Sequence, residues 1–287
     1  MEIVHNRKEN LKNNGDLEVY FIGTGSAFAL KHFQTNFLII KGDTHIMVDF
    51  GSTAPYALAS STTLSLTDIE VVLPTHSHSD HVGGLEQLAL MNRYIGRRIM
   101  SKKKLKMIID ENYQRILWTH TLQGGLEWNE KAKVSVHGKD GGQKLQFSDF
   151  FDVIRPTWKV QQPREVWQVN VGDIKIDLFR TNHIPEQEES WEASFISYGL
   201  FVDDRIFISG DTKFDLDLIN MYADRSEIMF HDVQFFKGAV HAPLDDLKTL
   251  PDEIKQKMYL MHYSDNYFAQ DISDFAGWAE QSVSYIF

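Results

Sequence analysis

Residues 75–81 read THSHSDH and bring three imidazoles and one carboxylate together within six positions: His76, His78, Asp80 and His81. The apolar run 69–74, IEVVLP, predicts a short buried strand that ends at Pro74, so the histidines begin a loop at a strand end. Neutral imidazole is the commonest metal ligand in proteins, and carboxylate is its usual companion. A solvated loop rich in histidine is the alternative explanation, but the H-x-H-x-D-H spacing favours a metal site.

This motif resembles the hallmark loop of the metallo-β-lactamase superfamily. Members of that superfamily carry one aspartate upstream of the loop, then a histidine, an aspartate and a final histidine downstream, each at a strand end. The matching positions in this chain are Asp49, His183, Asp211 and His262, and each follows an apolar run. Taken singly, Asp211 is also explained as a turn or helix-capping aspartate, and His183 as an ordinary loop histidine. The resemblance covers residues 19–264.

Composition agrees with a large globular protein and excludes some partners. The 287 residues are 43% hydrophobic, enough to bury a sizeable core, and no apolar run approaches the roughly 18 residues of a membrane span. Cysteine is absent, so any metal site must use nitrogen and oxygen ligands. A net charge of −11 opposes broad binding to a long nucleic acid. We therefore expect a soluble, cytoplasmic protein that does not act at a membrane.

The pattern of apolar runs predicts an αββα sandwich in the α/β (α+β) class, formed by residues 1–287 as one domain. Strand candidates before the metal loop are 17–23, 35–40 and 45–49; those after it are 172–179, 193–202, 205–209 and 228–231. Helical candidates begin after Gly84 and cover 251–257 and 272–282. Two strand-rich halves with flanking helices fit two sheets that pack face to face with helices outside.

Further motifs resemble the ribonuclease Z-like branch of phosphodiesterases within that superfamily. Residues 21–27, FIGTGSA, are similar to its opening L-G-T-G-x-A, and residues 231–234, 241–243 and 260–264 are similar to its H-E-A-T, H-S-T and L-T-H-F-S motifs. Residues 49–53, DFGST, lack the D-C-G-E-G-T-Q of the transfer RNA processing enzymes, and no long Gly/Pro-rich RNA-clamping arm is visible. The chain is more similar to compact enzymes of the anti-Pycsar type, which open small cyclic nucleotides. The implied substrate is a small phosphodiester.

Two divalent ions about 3.5–4 Å apart can hold a bridging hydroxide and the phosphoryl oxygens of a substrate for in-line displacement. The resemblance implies one ion held by His76, His78 and His183, a second held by Asp80, His81 and His262, and Asp211 as the shared ligand. Zn²⁺ is the expected metal, although Mn²⁺ or iron tolerates the same ligands. Asp49 and His231 are expected beside the ligands, where Asp49 orients an imidazole or water by hydrogen bonding.

Hydrolysis of a phosphodiester also needs a proton for the departing ribose oxygen, which a histidine beside an acid can supply. We assign His241 as this general acid and Asp232 as its orienting group, with Asp80 as the third member of the catalytic set. Both His231 and His241 also have simpler explanations, as a strand-end or an exposed loop histidine.

Residues 93–182 are interpreted as an insertion or lid over the sandwich. Seven of the fourteen residues 93–106 are basic, and a helical stretch follows. Trp118, His120 and Trp128 are candidate substrate contacts, because aromatic side chains can stack on a nucleobase. A solvated helix along one sheet edge is the simpler interpretation. Related enzymes are often homodimers, so we expect a homodimer in which a partner loop can complete the pocket.

Three alternatives stay open at this level. A transfer RNA 3′-processing endonuclease (ribonuclease Z) has the same metal chemistry but requires a basic RNA-binding surface, which a pI near 5.5 disfavours. A non-catalytic, metal-stabilised sensor has no need of the spare proton donor His241. Superfamily hydrolases of lactones, thioesters or β-lactams are the enzymatic alternative.

Overall fold

The computed structural model describes residues 1–5, 11–128 and 144–287. Within them the strands are β1 (Glu2–His5), β2 (Glu18–Gly23), β3 (Asn36–Lys41), β4 (Thr44–Val48), β5 (Val71–Leu73), β6 (Leu105–Ile108), β7 (Phe151–Ile154), β8 (Thr157–Val160), β9 (Val166–Val171), β10 (Ile174–Arg180), β11 (Tyr198–Val202), β12 (Ile206–Ile208), β13 (Ile228–Asp232), β14 (Met258–Met261), β15 (Gly277–Trp278) and β16 (Val283–Ile286). The α-helices are α1 (Ala54–Ser61), α2 (Ser79–Val82), α3 (Leu85–Met91), α4 (Glu111–Leu117), α5 (Gln123–Leu126), α6 (Phe147–Phe150), α7 (Leu216–Ala223), α8 (Leu244–Leu247) and α9 (Asp252–Lys255). Short 3₁₀ turns cover Leu66–Asp68 and Tyr267–Ala269, and π-helical turns cover Asn92–Arg97 and Trp118–Leu122.

The described strands form two eight-stranded mixed sheets. The first has the order β1-β16-β2-β3-β4-β5-β6-β7 and the second β15-β14-β13-β12-β11-β10-β9-β8. Neighbours from β4 to β7 are parallel, as are neighbours from β12 to β15, and the remaining pairs are antiparallel. Each parallel half requires crossover connections, and these connections carry the helices.

The two sheets face each other across a shared apolar core. The Phe21 ring of the first sheet lies 5.0 Å from the Phe230 ring of the second, between ring centroids. On β12, Ile206 and Ile208 join this inner core, whereas Phe207 joins a second cluster on the outer face. Successive side chains of a strand point to opposite faces, so both faces of this sheet are buried.

Helices cover the outer faces of both sheets. Beyond the second sheet, Leu218, Ile219 and Tyr222 of α7 pack in the outer cluster with Phe207. Beyond the first sheet, the Tyr20 hydroxyl donates to the Ser61 carbonyl at the end of α1, at 2.9 Å. The order of layers is therefore helix, sheet, sheet, helix, and the predicted αββα sandwich is confirmed.

The prediction of a helix over 272–282 is wrong. Gly277 has φ +148° and pairs with Tyr259, so the segment contributes the edge strand β15 instead. Phe275 is buried in the outer cluster, and the partly buried Trp278 packs against the same cluster. The apolar spacing that indicated a helix comes from these two aromatic residues, which anchor an extended chain.

The interpretation of 93–182 as an insertion is too broad. Residues 105–108 and 151–154 are strands of the first sheet, and 157–160, 166–171 and 174–180 are strands of the second. These parts are integral to the sandwich, because they contribute five of the described strands, β6 to β10. The helical part 111–128 remains as a lid candidate, and 129–143 lies outside the described residues. None of the helices in the described ranges has the length and apolar character needed to cross a membrane.

Candidate metal centre

Several candidate site residues follow the carboxyl ends of strands that run in the same direction within their sheet. Strands β4 and β5 are parallel, β12, β13 and β14 are parallel, and β10 runs with β12 because both are antiparallel to β11. The polar residues at these ends are Asp49, His76, His183, Asp211, Asp232 and His262. The edge formed by such strand ends is the usual place for a site in parallel sheets.

Three imidazoles converge on one point at this edge. His76 Nε2 and His183 Nε2 each lie 3.1 Å from His78 Nδ1, and one carboxylate oxygen of Asp211 completes a set within 4.8 Å. Burial lowers the pKa of all three imidazoles, well below the usual range for His76 and to about 4 for His183. Neutral imidazoles whose lone pairs meet in one place suit a divalent cation.

A second set of ligand atoms lies next to the first. Asp80 Oδ2 is 3.1 Å from His262 Nε2, and Asp211 Oδ2 is 3.1 Å from His81 Nε2. The four ligand atoms again lie within 4.8 Å of one another. Burial alone works against an ionised Asp211, but the imidazoles of His262 and His81 hold its pKa well below the usual range. The mixed nitrogen and oxygen donors fit a second divalent ion.

Asp211 belongs to both sets, and a carboxylate oxygen of Asp211 also lies within 4.8 Å of ligand atoms of Asp232 and His241. Its Oδ2 lies 3.7 Å from the Nε2 atoms of His76 and His183, and closer to those of the second set. Gly210 directs the chain into this position with φ +60°, and a Cβ there would lie 2.5 Å from the Tyr198 carbonyl oxygen. Only glycine fits this turn without a shift of the backbone. Asp211 therefore offers a carboxylate oxygen to both sets of ligand atoms.

Two non-glycine residues of the site have left-handed backbones. Asp49 and His262 both have φ 59°, and each directly follows a strand. A non-glycine residue in this region costs of order 1–3 kcal/mol, and such residues cluster at functional sites. The surrounding hydrogen bonds hold Asp49 in this conformation, since its carboxylate accepts from Thr75 N at 2.7 Å and from Thr75 Oγ1 at 2.8 Å.

Asp49 orients His81. Its Oδ2 lies 2.7 Å from His81 Nδ1, so Nδ1 carries the proton that is donated and Nε2 faces Asp211 and Asp80. Burial raises the pKa of Asp49, opposed by the neighbouring His81. A carboxylate on the far nitrogen of a ligand imidazole fixes its tautomer and raises its basicity. Thr75 completes this arrangement, and its role follows only from the fold, because nothing in the sequence distinguishes it from other loop threonines.

Asp49→Ala is expected to weaken metal binding by about 10- to 100-fold, which is the usual loss when such an orienting group is removed. The loss should fall mainly on the ion held by His81. Asp49→Asn retains an oxygen that can accept from His81 Nδ1, so its loss should be smaller. Competition against a chromophoric chelator measures both variants, and wild-type affinity in Asp49→Ala would contradict the assigned role.

His241 and Asp232 form a pair beside the ligands. His241 Nδ1 lies 2.9 Å from Asp232 Oδ2, and the His241 ring centroid is 4.6 Å from that of His262 and 5.0 Å from that of His183. Burial lowers the pKa of His241, but the hydrogen bond to Asp232 and nearby carboxylates raise it overall. The His241 side chain is 19% exposed while Asp232 is fully buried. His241 is thus the accessible, protonatable member of the pair.

His231 lies next to Asp232 and is not a member of either ligand set. Its Nδ1 is 2.9 Å from the Asp232 carbonyl oxygen and 3.2 Å from Asp232 Oδ1, and the whole side chain is buried. Its ring centroid is 6.2 Å from that of Phe207. His231 therefore contacts Asp232 directly and belongs to neither ligand set, which suits a supporting role.

The three candidate substrate residues make other contacts. The Trp118 ring packs edge-on against Phe147, at 6.1 Å between centroids, and joins the inner core. His120 is exposed, and the Trp128 ring lies 4.7 Å from the Lys144 ammonium. None of these contacts connects the three residues to the ligand sets, so a role in substrate binding stays a prediction.

Solved structures with the same fold are metallo-β-lactamase fold proteins. The YhfI protein of Bacillus subtilis aligns with a TM-score of 0.65 at 14% identity, covering 95% of this chain and all of that one. A diphosphatase of the PhnP family aligns with a TM-score of 0.62 at 12% identity, over 94% and 98% of the two chains. Human tRNase Z, short form, aligns with a TM-score of 0.58 at 14% identity, over 88% and 94%. The fold predicted from the H-x-H-x-D-H motif is confirmed.

Proteins with similar sequences identify the family, within this fold, to which the chain belongs. An Anti-Pycsar protein Apyc1 from Paenibacillus sp. (strain J14) is 37% identical over 253 residues, which cover 87% of this chain and 90% of the relative. A protein of the same description from Bacillus phage BSP38 is 32% identical over 256 residues, with the same coverage. The family model for the Anti-Pycsar protein Apyc1 matches residues 17–285. The resemblance inferred from the motifs is confirmed, and the chain belongs to the Anti-Pycsar protein Apyc1 family.

Proposed function

We propose that this protein is a metal-dependent phosphodiesterase that opens small cyclic nucleotides. The observation that carries the proposal is the His241–Asp232 pair, which lies against two ligand sets that share Asp211. A site that only stabilises the fold has no use for an accessible histidine with a raised pKa beside its ions. Hydrolysis of an ester with a poor leaving group does need such a proton donor.

The ligand sets fit two divalent ions, and we propose Zn²⁺ as the metal because nitrogen-rich sites of this kind suit it. When bound, the ions supply Lewis acidity toward the phosphoryl oxygens and activate the attacking water. His76, His78 and His183 would hold one ion, Asp80, His81 and His262 the other, and Asp211 both. Side chains of the protein would orient the groups around the ions: Asp49 orients His81, and Asp232 holds the imidazole of His241.

His241 would protonate the departing ribose oxygen. Its Nδ1 is held by Asp232, which leaves Nε2 as the nitrogen that can transfer a proton. The negative charge of Asp232 stabilises the imidazolium form, which favours a proton on His241. Asp232 is itself fixed, because it accepts from the Thr212 amide at 3.1 Å and lies on the buried end of β13.

Membership in the Anti-Pycsar family supports a cyclic nucleotide as the substrate, and the net charge of −11 disfavours a long RNA. We further propose that the protein acts as a homodimer in the cytoplasm. Hydrolases of lactones, thioesters or β-lactams have related folds, so these compounds belong in any substrate screen as competing classes.

The purified protein is expected to bind about two transition-metal ions per chain, because Asp211 completes two ligand sets. Metal removal should abolish hydrolysis and lower the unfolding temperature, since an ion at 100 times its Kd stabilises the fold by about 2.7 kcal/mol per site. Elemental analysis and calorimetry measure these effects. A fully active protein with one bound ion would contradict the shared site.

The substrate test uses one metal-loaded preparation against cyclic mononucleotides, linear dinucleotides, a transfer RNA precursor, lactones and a β-lactam. We expect cyclic mononucleotides to have the highest kcat/KM, with a linear mononucleotide as the product. Faster cleavage of the RNA precursor would favour a ribonuclease, and faster turnover of a lactone or β-lactam would reject phosphodiester chemistry.

A further inference from the structure

His241 lies on the loop of residues 235–241, between β13 and α8. Hydrogen bonds of Gln234 hold the base of this loop. The buried Gln234 donates from Nε2 to the Phe236 carbonyl at 2.9 Å and to the Gly238 carbonyl. The backbone N–H of Gln234 also donates to the Ala242 carbonyl at 2.8 Å. These bonds close the base of the loop, but they do not determine where its far side, next to His241, lies.

The far side is held by a different segment, the one that follows His183. His183 Nδ1 donates to the Val240 carbonyl at 2.9 Å. Three residues further on, Glu186 Oε1 accepts from the Ala239 amide at 3.1 Å. Ala239 has φ 63°, a left-handed conformation that a non-glycine residue rarely adopts, so an outside partner for its amide stabilises a strained turn two residues before His241.

Lys213 fixes the segment that carries Glu186. Its Nζ donates to the carbonyls of Pro185 at 3.0 Å and Glu186 at 2.9 Å, and also to that of Glu188. Its own amide donates to the Asn182 carbonyl at 2.7 Å. Carbonyl oxygens of three nearby residues thus surround one ammonium group, which curls residues 185–188 into a compact turn and sets the position of Glu186.

We propose that Glu186 and Lys213 are positioning residues that hold the His241 loop in place for proton transfer. The proposal rests on the proposed function of His241 and adds the groups that set the position of its backbone. Asp232 holds the imidazole from one side, and Glu186 holds the backbone from the other. Neither Glu186 nor Lys213 belongs to the ligand sets, so their loss should leave the ions bound.

The test compares Glu186→Ala with Glu186→Gln, which retains an acceptor for the Ala239 amide. Glu186 is exposed, so a single hydrogen bond supports an effect of about 3- to 10-fold and no more. We expect Glu186→Ala to lower kcat for a cyclic nucleotide by that factor with little change in KM. A p-nitrophenyl phosphodiester, which needs little protonation, should be affected less. Glu186→Gln should recover most of the loss.

Matched controls separate this effect from charge alone. Glu192→Ala removes an exposed carboxylate a few residues further along the chain, and Lys237→Met removes an exposed ammonium from the His241 loop. Both should retain wild-type rates and leaving-group dependence. Lys213→Met should reproduce the pattern of Glu186→Ala, and Lys213→Met combined with Glu186→Ala should lose little more than either alone, because both act through one loop.

Amide hydrogen exchange gives a readout independent of activity. In the wild type the Ala239 amide is protected by Glu186, so Glu186→Ala should speed its exchange while metal content stays at the wild-type value. Equal rate losses on both substrates, or no rescue by Glu186→Gln, would overturn the proposal. If His241→Ala lowers the rate equally on the cyclic nucleotide and on the p-nitrophenyl phosphodiester, the proposed function of His241 fails. If His241→Ala affects the cyclic nucleotide more but the Glu186 and Lys213 variants do not, only the positioning role fails.

Discussion

Asp211→Ala is expected to reduce phosphodiester hydrolysis by at least about 10³-fold, a loss of about 4 kcal/mol of transition-state stabilisation. The reason is that Asp211 Oδ2 faces the ligand nitrogens of both sets and is the member that they share. Its loss removes a ligand from two ions at once, whereas a change at His76 or His262 affects one set. Metal content and kcat measured on the same preparation test this expectation.

The effect on activity must be separated from an effect on folding. Asp211→Asn preserves the volume of the side chain and one oxygen, so it should fold like the wild type while binding metal poorly. Asp224→Ala removes an exposed aspartate at the end of α7 and should retain full activity. Near-normal turnover by Asp211→Ala, or loss of one ion only, would exclude the shared-ligand assignment.

The convergence of the candidate ligands could be predicted because each of them follows a local pattern. An apolar run followed by His or Asp identifies a strand end, and parallel strands bring those ends to one edge. His76, His183 and Asp211 lie at such ends and converge within 4.8 Å, although more than 100 residues separate His76 from His183. The resemblance to a known family supplied which strand ends belong together, which the residues alone do not specify.

Other parts could not be read from the sequence. The helix predicted over 272–282 fails because the spacing of Phe275 and Trp278 fits a helix and an anchored edge strand equally well. The role of Glu186 depends on a hydrogen bond to Ala239, 53 positions away, and a single acidic residue in a polar loop gives no signal of such a contact. Supporting groups of this kind are defined by the fold and not by a motif.

His241→Ala is expected to retain both ions and most of the substrate affinity while losing about 10²- to 10⁴-fold in kcat on a cyclic nucleotide, the usual contribution of a general acid. Ring opening releases an alkoxide, which leaves poorly without a proton. A p-nitrophenyl phosphodiester releases a stabilised phenolate, so its hydrolysis should fall much less. Kinetics on both substrates with one metal-loaded preparation measure the contrast.

Asp232→Asn supplies the companion test, because it removes the carboxylate that raises the pKa of His241 against the effect of burial. A general acid acts in its protonated form, so activity falls as pH rises through the pKa of His241. With that pKa lowered, the alkaline limb of the kcat profile should move to lower pH on the cyclic nucleotide, while His241→Ala should remove the limb altogether. Equal losses on both substrates would show that His241 is not the proton donor, and a His241→Ala protein that no longer binds two ions would make His241 a ligand instead.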